Sequence, residues 1–319
     1  MLYRLLKLYA RLAIKIYCRK IIINKPEYLQ LEGPLLLAAN HPNSFLDGII
    51  TTTLFHHPVY SLTRGDAFTK TFEKILRWLH LLPVYRTSEG VENLSHNYTT
   101  FAVCQQVFQK KGIVLIFSEA GTKNEWHLRP LRKGAARLAI GSWQKGIELT
   151  VVPLGYNYSS FGKFGKVVHI NFGEPLPGKI ILQQNAEGKK MLAFNKLLQD
   201  QLQKAVYEID LKDKQKRKEK FYLSNNLIKN VLLGIPAVIG FIFHSPIYIA
   251  ALLFANAKFH NDHYDAVVTS LLMIFYPLYL LVIVFVVAYF FSWAAALATF
   301  VLLPFCAWSL VQFKYQFGF

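Results

Sequence analysis

Apolar and polar positions divide the chain into three regimes. Over residues 1–24, Leu2, Leu5, Leu6, Leu8, Leu12, Ile14 and Ile16 surround a stripe of Arg4, Lys7, Arg11, Lys15 and Arg19. At about 100° per residue the basic side chains fall within an arc of roughly 120°, which predicts an amphipathic helix of the kind that lies at a membrane interface. Through residues 25–210, short apolar runs alternate with stretches of helical period. Residues 34–39, 59–63, 82–85, 113–117, 149–156 and 166–172 read as strands, and 44–55, 67–80, 91–110, 134–145 and 191–208 as helices. The 67–80 helix rests on Phe68, Phe72, Ile75, Leu76 and Leu79 at helical spacing. Strands separated by helices predict an α/β fold, a layered sheet with flanking helices.

The third regime is apolar. A charge run at 211–220 opens a basic linker over 211–230, and residues 231–319 form a helical membrane region. Residues 231–257 are long enough to cross a bilayer, but Pro236, His244 and Pro246 interrupt them, so a re-entrant or interfacial segment is an alternative. Residues 267–291 carry no charge and exceed the roughly 20 apolar residues a span needs. Residues 294–313 follow after only Ser292 and Trp293, leaving either a tight hairpin or one broken helix. The chemical motifs all precede residue 211, so a chain cut after Lys220 is expected to keep a foldable α/β domain.

Composition sharpens the membrane reading. The 319 residues are 53% hydrophobic with a mean hydropathy of +0.26. A net charge of +17 suits nucleic acid, anionic lipid or phosphorylated substrates. The apolar last third favours anionic membrane lipids as partners, and no basic element interleaved with aromatics points to nucleic acid. Basic residues just before the apolar region mark the cytoplasmic side, so an integral protein with its catalytic domain there is expected. The N-terminal charges break the uninterrupted apolar stretch a secretory signal requires. Cys18, Cys104 and Cys306 are too few and too scattered for a disulfide framework or a metal site.

Candidate chemistry concentrates in residues 34–50. An apolar strand runs into Asn40 and His41, then a turn, then a helix carrying Asp47. Histidine at a strand end suits a general base, and a nearby carboxylate can hold its tautomer. The plainer alternative makes Ser44 and Asp47 a capping box that opens the helix. A basic cluster follows: Arg64 after one strand, Arg86 after another, Lys123 in a Gly121-Thr122 turn, then Arg129, Arg132 and Lys133. Arginine binds phosphate bidentately and lysine as a point charge. Glu119 either supports this cluster or is the structural partner of an arginine.

Four blocks in order resemble the phospholipid and glycerol acyltransferases of the lysophosphatidate acyltransferase type. They are Asn40-His41 with Asp47, Leu82-Pro83-Val84-Tyr85-Arg86, Phe117-Ser118-Glu119-Ala120-Gly121-Thr122-Lys123, and Val151-Val152-Pro153-Leu154-Gly155. The resemblance implies His41 as base, Asp47 as its orienting partner, and the second and third blocks at the acceptor phosphate. It also implies an acyl-CoA or acyl-carrier protein donor, with no further cofactor and no metal. Two departures stand out: five residues separate His41 from Asp47 instead of the usual four, and Ala120 is an extra residue in the third block. Both are similar to the fungal glycerol-3-phosphate acyltransferase branch and its bacterial relatives, which points toward glycerol-3-phosphate as acceptor and leaves its 1-acyl form open. Rival readings are an acyltransferase for an amino-acid-derived lysolipid, a thioesterase or lipid hydrolase, and a non-catalytic membrane scaffold.

Overall fold

The computed structural model describes residues 2–85, 95–224, 226–259 and 261–313. Helix α1 (Leu2–Tyr17) runs directly into strand β1 (Cys18–Ile23). There follow β2 (Leu35–Ala39), α2 (Phe45–Leu54), β3 (Val59–Arg64), α3 (Glu73–Trp78), β4 (Leu81–Val84) and α4 (His96–Gln109). Next come β5 (Ile113–Phe117), α5 (Gly134–Gln144), β6 (Thr150–Tyr158), β7 (Lys166–Phe172), α6 (Gly178–Leu182), α7 (Glu187–Ala205) and α8 (Lys214–Phe221). Three long helices close the chain: α9 (Leu227–Lys258), α10 (Tyr264–Phe290) and α11 (Trp293–Phe313).

The strands form one mixed sheet in the order β1-β7-β6-β2-β5-β3-β4. Among the described strands, only β6 and β7 pair antiparallel. The central strands are apolar throughout because both faces are covered. Leu36 and Ala38 of β2 point into a core with Cys104, Phe108, Ala136 and Leu198 of α4, α5 and α7. Leu35, Leu37 and Ala39 point the other way, against Ile14 of α1 and Leu46 and Ile50 of α2.

Four local readings change. The amphipathic helix stops at Tyr17 instead of reaching residue 24, because Cys18-Arg19-Lys20-Ile21-Ile22-Ile23 pairs parallel with β7 as an edge strand. Its run of isoleucines suits a pleated surface better than a helix. The helix expected over 67–80 is confined to Glu73–Trp78, with a single 3-10 turn at Gly65–Ala67 before it. Within the expected basic linker, α8 forms and buries Phe221 against Trp126, Val167 and Ile209. Finally, α9 continues through Pro236 and Pro246, and α10 and α11 are separate, packed helices, so the hairpin prevails over one broken helix. Each of α9, α10 and α11 is long and apolar enough to cross a membrane.

Helix α1 has three faces. Ala10, Ile14 and Tyr17 are buried against the domain, while Leu2, Leu5, Leu8 and Leu12 are exposed. Lys7 does not stand with the solvated stripe: its ammonium donates to the carbonyls of Phe55 (2.6 Å) and His56 (3.2 Å), just past α2. Burial, with Arg11 nearby, pushes its pKa down.

Candidate active site

Strands β2 and β5 are parallel neighbours, and their carboxyl ends bring the first and third blocks side by side. The crevice beyond such strand ends is where open α/β sheets bind ligands. The two loops are stitched together: Ser118 N–H donates to Ala39 O (2.7 Å) and Lys123 N–H to His41 O (3.3 Å).

His41 leaves β2 with Nδ1 2.8 Å from Asp47 Oδ2. Asp47 is fully buried in the first turn of α2. Its carboxylate also accepts the Asn43 N–H (2.9 Å) and the Tyr158 hydroxyl (2.6 Å). The imidazole stacks on Phe117, with ring centroids 3.7 Å apart and planes 15° from parallel. The ring plane is thereby held on one side and the Nδ1 edge on another. With Nδ1–H given to the carboxylate, Nε2 is the nitrogen that carries a lone pair.

The five-residue spacing is absorbed before the helix, which begins at Phe45. Ser44 takes φ 46° and ψ −120°, and Ala120, the extra residue of the third block, takes φ 51°. The two non-glycine residues thus adopt left-handed backbone on either side of His41, where side chains are normally disfavoured. The capping box does not form. Ser44 makes no side-chain cap, its Oγ meets His263 Nδ1 at 3.0 Å, and Asp47 is engaged by His41, Asn43 and Tyr158.

Glu119 braces the site from the β5 side. Its two carboxylate oxygens accept the N–H groups of His41 and Arg129, each at 2.8 Å, and the Arg129 guanidinium lies 3.6 Å away. Burial raises the Glu119 pKa, opposed by those N–H bonds and by the Arg129 charge. The alternative of a structural arginine partner is therefore realised, with Arg129, which also donates to Gly121 O. Asn40 pins β2 to β6: its side chain donates to Tyr156 O (3.1 Å) and accepts from Tyr156 N (2.7 Å).

A groove of about 2540 Å³ passes His41. Sites for one small ligand hold roughly 300–1,000 Å³, so this one has room for two substrates. Leu6 and Tyr9 of α1, Phe45 and Ile49 of α2, and Met273 and Ile274 of α10 supply apolar lining. Arg64, Gly121, Thr122, Arg132, Lys133 and Arg137 supply polar lining. Arg64 is paired with Asp66. Lys123 turns to Asp262, with Nζ 3.4 Å from Oδ2, and is not part of the lining. Arg86 lies outside the described residues. Among the described residues, no group of three or more His, Cys, Asp or Glu side chains is placed to hold a metal ion.

Tyr158 and Asn43 are absent from the sequence-derived candidates, and Phe117 enters there only as the first residue of the third block, without its stacking on His41. Period-two alternation along β6 does place Tyr156 and Tyr158 on the face of Val152 and Leu154, so Tyr158 could have been assigned to the His41 side of the sheet.

Fold and site together define a mixed α/β domain with a histidine–carboxylate pair at the carboxyl edge of its parallel strands. Residues 20–157, which carry that pair, match the family model described as Acyltransferase. Among solved structures, the chain is similar to the 1-acyl-sn-glycerophosphate (LPA) acyltransferase PlsC from Thermotoga maritima. The TM-score is 0.42 with 10% identity, covering 63% of this chain and 79% of that one. No curated protein matches the sequence.

Proposed function

We propose that this protein is a membrane-bound O-acyltransferase. It moves a fatty acyl group from an acyl thioester, on CoA or acyl-carrier protein, to a hydroxyl of glycerol-3-phosphate or 1-acylglycerol-3-phosphate. The observation that carries this reading is the His41–Asp47 pair at a groove lined by apolar side chains of α1, α2 and α10 and by basic side chains of β3, of α5 and of the segment just before α5. An acyl chain fits the first lining and a phosphate the second.

In this reading His41 Nε2 takes the proton of the acceptor hydroxyl as its oxygen attacks the thioester carbonyl carbon. The C–S bond breaks, and the leaving thiolate takes that proton back from Nε2. Asp47 stabilises the imidazolium between the two transfers. Arg132 and Arg64, with the backbone at Gly121 and Thr122, take the acceptor phosphate; Arg86 joins them by resemblance. Lys123 is left to its pairing with Asp262. Helices α9, α10 and α11 would anchor the protein, and the basic residues of α8 support the cytoplasmic face as the side on which the domain lies. The five-residue first block and the extra Ala120 support glycerol-3-phosphate over its 1-acyl form.

The test is transfer of radiolabelled acyl groups to glycerol-3-phosphate, its 1-acyl form and amino-acid-derived lysolipids by protein in vesicles. His41→Ala should abolish transfer, and Asp47→Asn should lower kcat by roughly a hundredfold or more. Release of free fatty acid without use of any acceptor, or near-normal turnover by His41→Ala, would sink the reading.

A further inference from the structure

Asp265 belongs to the first turn of α10, yet it is buried in the α/β domain. Three groups from three other parts of the chain converge on its carboxylate. Tyr17, the last residue of α1, donates its hydroxyl to Oδ1 at 2.6 Å. Lys166, the first residue of β7, places its ammonium on Oδ2, and Asn43 donates Nδ2–H to the same oxygen at 2.9 Å. Lys166 is itself buried, over the rings of Tyr17 and Tyr158.

A buried ion pair is a poor source of net stability, because desolvation of both charges offsets their attraction. Apolar side chains would seat α10 at least as well. The pair does supply an oxygen in one fixed place, and Asn43 uses it. The Asn43 Oδ1 is buried with no hydrogen-bond partner among the described residues, so the amide is held through Nδ2. The backbone N–H of the same residue reaches Asp47. A continuous path therefore runs from Asp265 through Asn43 to Asp47 and His41. Two neighbours in the same segment hold the surroundings of Asn43: His263 meets Ser44 at 3.0 Å, and Asp262 accepts at 3.0 Å the N–H of Asn124, whose side chain donates to Pro42 O (2.7 Å).

We propose that Asp265 is a positioning residue for acyl transfer. It sets the β2–α2 loop through Asn43 and so makes the alignment of Asp47 with His41 depend on the seating of α10. The proposal rests on the reading of His41 and Asp47 as the catalytic pair.

The test uses full-length protein in vesicles and four variants: Asn43→Ala, the neutral pair Asp265→Leu with Lys166→Met, which removes the acceptor oxygen together with its charge, their combination, and His41→Ala. The neutral pair leaves no unpaired buried charge. Asn43→Ala leaves Asp265, Lys166 and Tyr17 together. Each should lower kcat roughly 10- to 100-fold, the scale of a small misplacement of a reacting group, while both KM values stay near wild type. The combination should be no slower than the slower of the two, because both break one link. Losses that multiply, or full kcat in either folded variant, overturn the proposal. If the neutral pair fails to fold, Asn43→Ala decides alone by the same kcat criterion. Inactive His41→Ala beside fully active Asn43→Ala fails this proposal only; active His41→Ala fails the catalytic reading and this proposal with it.

Discussion

Asp47 is fully buried and accepts from three donors, each supplied differently: a side chain two residues beyond β2, a backbone N–H, and a phenol on β6. Burial first, and the nearby Asp47 charge second, push the Tyr158 pKa well up, so its hydroxyl stays a donor over the whole working range. Tyr158→Phe keeps the ring in the core and deletes that donor. It should cost about 1–3 kcal/mol in unfolding free energy, the penalty of an acceptor left buried and under-bonded, and should lower kcat with KM little changed. Denaturant titration and steady-state kinetics on the same preparation check it; unaltered stability and kcat would show that the third donor is dispensable. His41 and Asp47 were legible in the sequence because strand, turn and helix put them six positions apart. Tyr158 is 111 residues from Asp47 and Asp265 is 222 from Asn43, and no local pattern records contacts of that range. Asp265 is further hidden by standing two residues before the uncharged stretch 267–291.

At the scale of elements, the apolar strands β2, β5 and β6 were legible because a strand buried on both faces is a run with few alternatives. Strand β1 was not, since Arg19 continues the four-residue rhythm of Arg11 and Lys15 and its pairing partner, β7, lies at the far end of the domain. Helix α8 was masked by its charges: one residue, Phe221, makes it part of the core. The same long-range pairing changes what removal of the apolar helices should do. Composition alone separates the α/β domain from them, but Lys166 is buried in that domain and its carboxylate partner is on α10. A chain ending at Ser224 keeps α8 and strands the ammonium. Breaking a buried pair in this way costs about 3–5 kcal/mol, against a total stability on the order of 5–15 kcal/mol for a typical domain. The truncated chain should melt far below the intact protein or be cleaved readily by protease, and Lys166→Met should recover much of the loss. A truncated chain that is stable without that substitution would show that the pair is not needed for folding.

At the scale of the molecule, the two features suited to a membrane lie together. Helix α1 packs against α10 and α11, and its leucines at positions 2, 5, 8 and 12 stay exposed beside the apolar spans. Two of these helices, α1 and α10, supply apolar lining to the groove, so acyl chains would enter from their side. Helix α7 covers the opposite face of the sheet, and its exposed Leu192 should face water. An environment-sensitive fluorophore attached at Leu8→Cys or Leu12→Cys should therefore shift to the blue in anionic vesicles, while one at Leu192→Cys should not. The labelling is done with Cys306 replaced by alanine; Cys18 and Cys104 are buried, and burial pushes each thiol up to about 12, so neither offers a thiolate at neutral pH. The signals at Leu8 and Leu12 should survive high salt. Only Arg4, Arg11 and Lys15 remain of the basic stripe, their pull on headgroups is screened over about 8–10 Å at moderate ionic strength, and insertion of α9, α10 and α11 is not screened at all. A blue shift at Leu192, or release of the protein by salt alone, would reverse this orientation or remove the integral anchor from the account.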